Sequence, residues 1–102
     1  MEPNIWNLQL QEREGTYTFS GKILITNNIC KALTFDEQLF IIMAVRQRVE
    51  KLGGADYLQV FKNSKGETIF VIDQLNKEMK EENSDEFVKE NDYFTILFSY
   101  EY

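Results

Sequence analysis

The 102-residue sequence predicts an α+β domain, one main amphipathic helix packed on an antiparallel sheet of about four strands, and three observations carry this. Thr34-Phe35-Asp36-Glu37 opens a helix that Gly53-Gly54 closes. Two runs rich in β-branched and aromatic residues, 56–62 and 67–73, flank the turn sequence Asn63-Ser64-Lys65-Gly66. A third such run, 93–100, ends the chain after an acidic stretch. A chain of this length makes a single domain, residues 1–102, and buries roughly 65% of the surface its unfolded form exposes.

Residues 1–20 are the least regular part. Ile5, Trp6, Leu8 and Leu10 half-alternate, Tyr17 and Phe19 alternate with Thr16, Thr18 and Ser20, and residues 11–15 between them are polar. Two short extended pieces joined by a turn are expected. Ile23-Leu24-Ile25-Thr26 reads as a short strand closed by a turn at Asn27-Asn28. Cys30 reads as a buried small hydrophobe, because the chain has no histidine to activate its thiol and only Lys31 is basic beside it.

The helix begins with a capping box. Thr34 accepts from the N–H of Glu37 while the Glu37 carboxylate reaches back to the N–H of Thr34, and the threonine cap alone contributes about 1 kcal/mol. Asp36 and Glu37 suit the positive end of the helix dipole, and Arg46, Arg48 and Lys51 its negative end. Phe35, Leu39, Ile42, Val45, Val49 and Leu52 follow helical spacing and form the expected core stripe. Phe40, Ile41, Met43 and Ala44 widen it beyond what one sheet covers. Either the N-terminal segment lies over them, or a second copy does in a homodimer.

Asn at the first turn position and Gly at the fourth specify a type I turn with a glycine bulge, which sets the hairpin register. Phe61 faces Ile69, Gln59 faces Val71 and Tyr57 faces Asp73 on one side; Lys62 faces Thr68, Val60 faces Phe70 and Leu58 faces Ile72 on the other. The Leu58, Val60, Phe70 and Ile72 side is purely apolar and is expected under the helix. The opposite face, Tyr57, Gln59, Phe61, Ile69 and Val71, with Tyr93 of the last strand, is too apolar to be simply wet. It is a candidate protein contact unless Trp6 covers it.

Residues 77–92 hold Glu78, Glu81, Glu82, Asp85, Glu86, Glu90 and Asp92 against Lys77, Lys80 and Lys89, so four of the six net negative charges sit in this window. A short helix or loop is expected there, pinned at Leu75, Met79, Phe87 and Val88. The last strand places Phe94, Ile96 and Phe98 on one face and Tyr93, Thr95 and Leu97 on the other.

Charge and composition exclude several function classes. With an isoelectric point near 4.6, the chain is a poor direct ligand for nucleic acid or for an anionic membrane, both of which need clustered Lys and Arg. No histidine and one cysteine leave no Ser-His-Asp triad, no Cys-His pair, no zinc site and no internal disulfide. The glycines are scattered, so no phosphate loop exists, and the acidic window lacks the calcium-loop spacing. No cofactor or metal is expected, and no enzymatic activity. The first four residues lack a basic leader, and the longest apolar run, 39–45, is far below the roughly 20 residues a bilayer span needs. A cytoplasmic protein is expected.

The string Asp-Tyr-Leu-Gln-Val-Phe at 56–61, directly after an amphipathic helix, resembles a motif of the uncharacterised domain-of-unknown-function 960 family of Gram-positive bacteria, their phages and mobile elements. Ile69-Phe70-Val71-Ile72-Asp73 is similar to that family's late strand, and Thr95, Leu97, Glu101 and Tyr102 to its C-terminal Thr-x-Leu-x-x-x-Glu-Tyr ending. Ile25, Thr26 and Ile29 are compatible with its first strand, so the resemblance runs in patches over residues 22–102. A His, Glu and Pro-containing stretch of the family is replaced here by the turn at 63–66. The resemblance implies a phage or mobile-element setting, and in the host cytoplasm if phage-encoded, but no activity.

Two functions are compatible with these readings. The first is an inhibitor whose acidic segment occupies a basic nucleic-acid-binding surface of a host defence effector, such as a CRISPR nuclease. The second is a structural or adaptor protein, alone or as a homodimer, that binds through the apolar sheet face.

Overall fold

A computed structural model describes residues 5–102. Residues 1–4, on which the expected lack of a leader rests, lie outside the described residues. In chain order the elements are β1 (Asn7–Leu8), β2 (Lys22–Ile25), α1 (Asn27–Ala32), α2 (Phe35–Leu52), β3 (Leu58–Lys62), β4 (Thr68–Asp73), α3 (Lys77–Glu82), α4 (Asp85–Asn91) and β5 (Tyr93–Phe98), then a 3-10 turn, Ser99–Glu101. The α+β class holds, with five strands in the order β1-β3-β4-β5-β2. The sheet is mixed because β2 lies parallel to β5, a pairing that needs a long crossover, here supplied by everything between the two strands.

Local signals act as expected in the helix and the hairpin. Thr34 Oγ1 accepts from the N–H of Glu37 at 3.1 Å, and Glu37 Oε1 accepts from the N–H of Thr34 at 3.0 Å. Gly53 ends α2 at φ 74°, a left-handed conformation that a Cβ disfavours. All five β3–β4 pairs have the predicted register. At the turn Gly66 has φ 81°, and Asn63 Oδ1 accepts from the N–H groups of Lys65 and Glu67.

The sheet, however, is covered on the face opposite to the one expected. Gln59, Phe61, Ile69 and Val71 are fully buried, with Phe94, Ile96 and Phe98 of β5 beside them and Ile41, Ile42 and Val45 of α2 above. Leu58, Val60, Phe70 and Ile72 lie half-buried on the uncovered side. The purely apolar character of Leu58, Val60, Phe70 and Ile72 favoured the other face, yet Gln59 and Asp73 are both satisfied inside the covered one. Gln59 Oε1 accepts from Arg48 Nη1 at 2.6 Å, and its Nε2 donates to Gln11 Oε1 at 2.9 Å and to the Asp56 carbonyl at 3.0 Å. Asp73 accepts from the N–H groups of Phe19 at 2.9 Å and Gln74 at 3.0 Å. A polar side chain so paired no longer opposes burial.

The helix is rolled correspondingly. Ile41, Ile42 and Val45 are buried and Val49 packs beside them, whereas Phe35, Leu39 and Leu52 of the expected stripe are exposed. The reason is the N-terminal segment. Trp6 and Phe19 enter the same core cluster and take volume that the ends of the stripe would have filled. Trp6 is 2% exposed, its Nε1 donates to Glu37 Oε2 at 3.2 Å, and β1 adds to the sheet beyond β3. Of the two extended pieces expected in residues 5–20, the second reduces to Tyr17, which bridges Ala55 and Asn76.

Two local expectations fail for one reason. Asn27-Asn28 is the start of α1, not a turn, because Thr26 caps it by accepting from the N–H of Ile29. In that helix Ile29 takes the inward position, which leaves Cys30 exposed. Among the described residues no helix is long and apolar enough to cross a membrane.

Candidate functional site

Helices α3 and α4 fill the β4–β5 connection at the end of the sheet marked by Asp73 and Tyr93. Each is short enough to need its caps. Asn76 accepts from the N–H of Met79 at 2.8 Å and Ser84 from that of Phe87 at 3.2 Å, while Asn83 and Asn91 donate to the carbonyls of Met79 and Phe87. Neither helix buries a residue. Leu75 is buried as expected, but Met79 and Phe87 are exposed and do not pin the segment. Polar contacts do that. Lys80 Nζ lies 3.2 Å from Asp92 Oδ1 and donates to Thr18 and Ser20, and the N–H of Lys77 donates to the Thr16 carbonyl.

The seven acidic residues therefore divide into two groups. Asp92 faces inward to Lys80, and Glu78 accepts from the Thr16 hydroxyl, which holds its carboxyl below the ordinary glutamate range. Glu81, Glu82, Asp85, Glu86 and Glu90 are exposed, and none makes a hydrogen bond or ion pair among the described residues. Glu86 and Glu90 are also like charges four residues apart on α4. The fold thus keeps an acidic ridge whose five exposed carboxylates form no ion pair among the described residues, with Lys77 and Lys89 exposed on the same helices.

The sheet-face set predicted as a contact is not a surface. Gln59, Phe61, Ile69 and Val71 are inside, Tyr57 is exposed beside Tyr17 at the sheet's end, and Tyr93 alternates onto the other face. The open face is instead the half-buried apolar set Leu58, Val60, Phe70 and Ile72 around the buried Leu97, with the Tyr102 ring 5.8 Å from that of Phe70. An open depression of about 450 Å³ lies toward its acidic end, between Tyr57, Ile72, Thr95 and Tyr102. Sequence reasoning missed this surface because the partners that draw Gln59 and Asp73 inward come from residues 11, 19 and 48, far away in the chain.

Among the described residues no group of three or more acidic or cysteine side chains is arranged to hold a metal ion. Comparison of the chain with family models, curated proteins and solved structures gives no match.

Proposed function

We propose that the chain is a non-catalytic protein-binding module that blocks a basic, nucleic-acid-binding surface of a larger effector, such as a CRISPR nuclease, in a phage or mobile-element setting. One observation supports this reading most: Glu81, Glu82, Asp85, Glu86 and Glu90 stand exposed on two capped helices and form no ion pair among the described residues. A row of fixed carboxylates substitutes for phosphates along a Lys and Arg-lined channel and steers association. The test is the combined variant Glu81→Ser, Glu82→Ser, Asp85→Ser and Glu86→Ser. Its thermal midpoint stays near that of the parent, while inhibition of the effector and capture by it are lost. Unchanged inhibition refutes the reading. Parent binding weakens steeply between about 0.15 M and 1 M salt, as the screening length falls from about 8 to 3 Å.

A second reading, an adaptor that binds through the sheet, draws on the uncovered apolar face around Val60 and Phe70. Under it, Val60→Lys abolishes partner binding with the fold retained, and binding of the parent is insensitive to salt. Retained binding of the Val60→Lys variant rejects that adaptor.

A further inference from the structure

The sheet ends on one side in β2, and among the described residues β5 is the only strand paired with it. The N–H of Lys22 donates to the Asp92 carbonyl and that of Thr26 to the Ile96 carbonyl, so Lys22, Leu24 and Thr26 turn their main-chain groups toward β5. The main-chain groups of the residues between them point the other way. The N–H and C=O of Ile23 and Ile25 therefore face outward, and they make no hydrogen bond among the described residues. This strand also carries none of the usual protections of an edge. It reads Lys-Ile-Leu-Ile in unbroken one-to-one register with β5, with its single charge at the first position, and Ile23 and Leu24 are 38% and 46% exposed. The opposite edge, β1, is only two residues long.

We propose that β2 takes up an extended basic segment of a protein partner as an added antiparallel strand. The inference rests on the reading of the acidic ridge as the contact for a basic surface, and gives that contact a main-chain component. Two features select this occupant. The first is the chemistry of the edge. Donors and acceptors that alternate at strand spacing are matched by extended main chain, whereas a helix has its own N–H and C=O groups already paired. The second is charge. The N–H of Lys22 is bonded to the residue that follows α4, so β2 starts beside the ridge, where Glu86 and Glu90 are exposed. At the other end of the strand the Thr26 hydroxyl donates to the Glu101 carboxylate at 3.0 Å. A second copy added antiparallel would set the ridge of each chain toward the Glu101 end of the other, acid against acid, whereas a basic segment is attracted. Lys22 disfavours a cation directly opposite itself, so the basic residues of the segment lie beyond it, toward α4. Antiparallel pairing is the more stable per residue, and it brings the C-terminal end of the segment to the ridge.

The probe is a synthetic peptide with blocked ends, an alternating Val and Thr run followed by a pair of Lys residues, titrated into the full chain. Amide hydrogen exchange reads the pairing directly. In the free protein the amides of Leu24 and Thr26 exchange slowly and those of Ile23 and Ile25 fast; saturation with the peptide slows Ile23 and Ile25 about 10-fold or more. Ile23→Pro removes an N–H that the protein itself leaves unused, at an edge position that tolerates proline. Its thermal midpoint stays near that of the parent, and its affinity for the peptide falls about 10-fold. Should the variant lose stability, the exchange pattern of the parent alone decides. No binding at millimolar peptide, saturation without protection of Ile23 and Ile25, or affinity unchanged by Ile23→Pro in the folded variant overturns the proposal. Failure of the ridge is seen separately. If the combined Glu81→Ser, Glu82→Ser, Asp85→Ser and Glu86→Ser variant binds the peptide as tightly as the parent, the basic character of the occupant falls with the ridge reading, whereas failure of the added strand shows as missing protection whatever the ridge carries.

Discussion

Trp6→Ala lowers the stability of the domain by about 3–5 kcal/mol, the range for removing a large aromatic side chain from a core. Trp6 is 2% exposed and belongs to the cluster that includes Ile41, Ile42, Val45 and Phe61. Its removal leaves a cavity where the N-terminal segment meets α2 and frees Glu37 Oε2 from the indole N–H. Since a small domain carries only about 5–15 kcal/mol in total, the variant is expected to be partly unfolded at 37 °C. Urea unfolding followed by circular dichroism measures this, because the substitution removes the sole tryptophan of the chain. Trp6→Phe keeps most of the apolar area, loses only the bond to Glu37 and costs about 1 kcal/mol. A Trp6→Ala cost under 1 kcal/mol would show that the segment is not part of the folding unit.

Asp73→Ala costs about 2–3 kcal/mol, whereas Asp73→Asn costs much less. The side chain is 3% exposed and accepts from the N–H of Phe19, a residue held at φ 49°, where non-glycine residues are strained. The Phe19 carbonyl accepts from Arg46 Nε at 3.4 Å, and the fully buried ring stacks edge-on against Phe94 at 5.7 Å. Alanine at 73 leaves that N–H unpaired in the core. Asparagine keeps one acceptor oxygen for the buried N–H of Phe19, gives up the one that served the N–H of Gln74, and removes the charge. Burial, aided by Asp92, holds the Asp73 carboxyl above the ordinary aspartate range despite the opposing N–H of Phe19 and the Lys80 ammonium. The folded state therefore binds this proton more tightly than the unfolded chain, and stability rises as pH falls from above the raised folded pKa toward the unfolded value. Glu78, shifted down, acts in the opposite sense at lower pH, once the ordinary glutamate range is reached. The thermal midpoint of the parent is expected to rise on moving from neutral to mildly acidic pH, and Asp73→Asn flattens that rise. An equal rise in the variant would assign the effect to general charge repulsion.

The sequence already offered Trp6 as a cover for the sheet face that it does enter, whereas it placed Asp73 poorly, and the difference has a physical reason. Elements governed by neighbours in the chain were legible. The capping box at Thr34 and Glu37, the left-handed stop at Gly53 and the hairpin register through Asn63 and Gly66 depend on hydrogen bonds spanning five residues or fewer. The acidic window was legible as composition, and its caps at Asn76 and Ser84 then make it helical. The choice of covered sheet face was not legible, since the apolar count favoured Leu58, Val60, Phe70 and Ile72. Gln59 goes inside because Arg48 and Gln11 meet it there, and Asp73 because Phe19 does. The string at 56–61 takes part in this same network through Asp56 and Gln59, so it has a structural role of its own.

The candidate surfaces follow the same division. The sequence by itself determined that the chain is an α+β domain with its negative charge concentrated in one window, because composition and local turn chemistry suffice for both. Only the tertiary structure decided which carboxylates remain without a cation, that the apolar sheet face is the open one, and that Phe35, Leu39 and Met43 point outward. Each of those depends on which distant side chain arrives to pair a polar group or fill a volume, and pairings across the fold are not written in the spacing of residues along the chain.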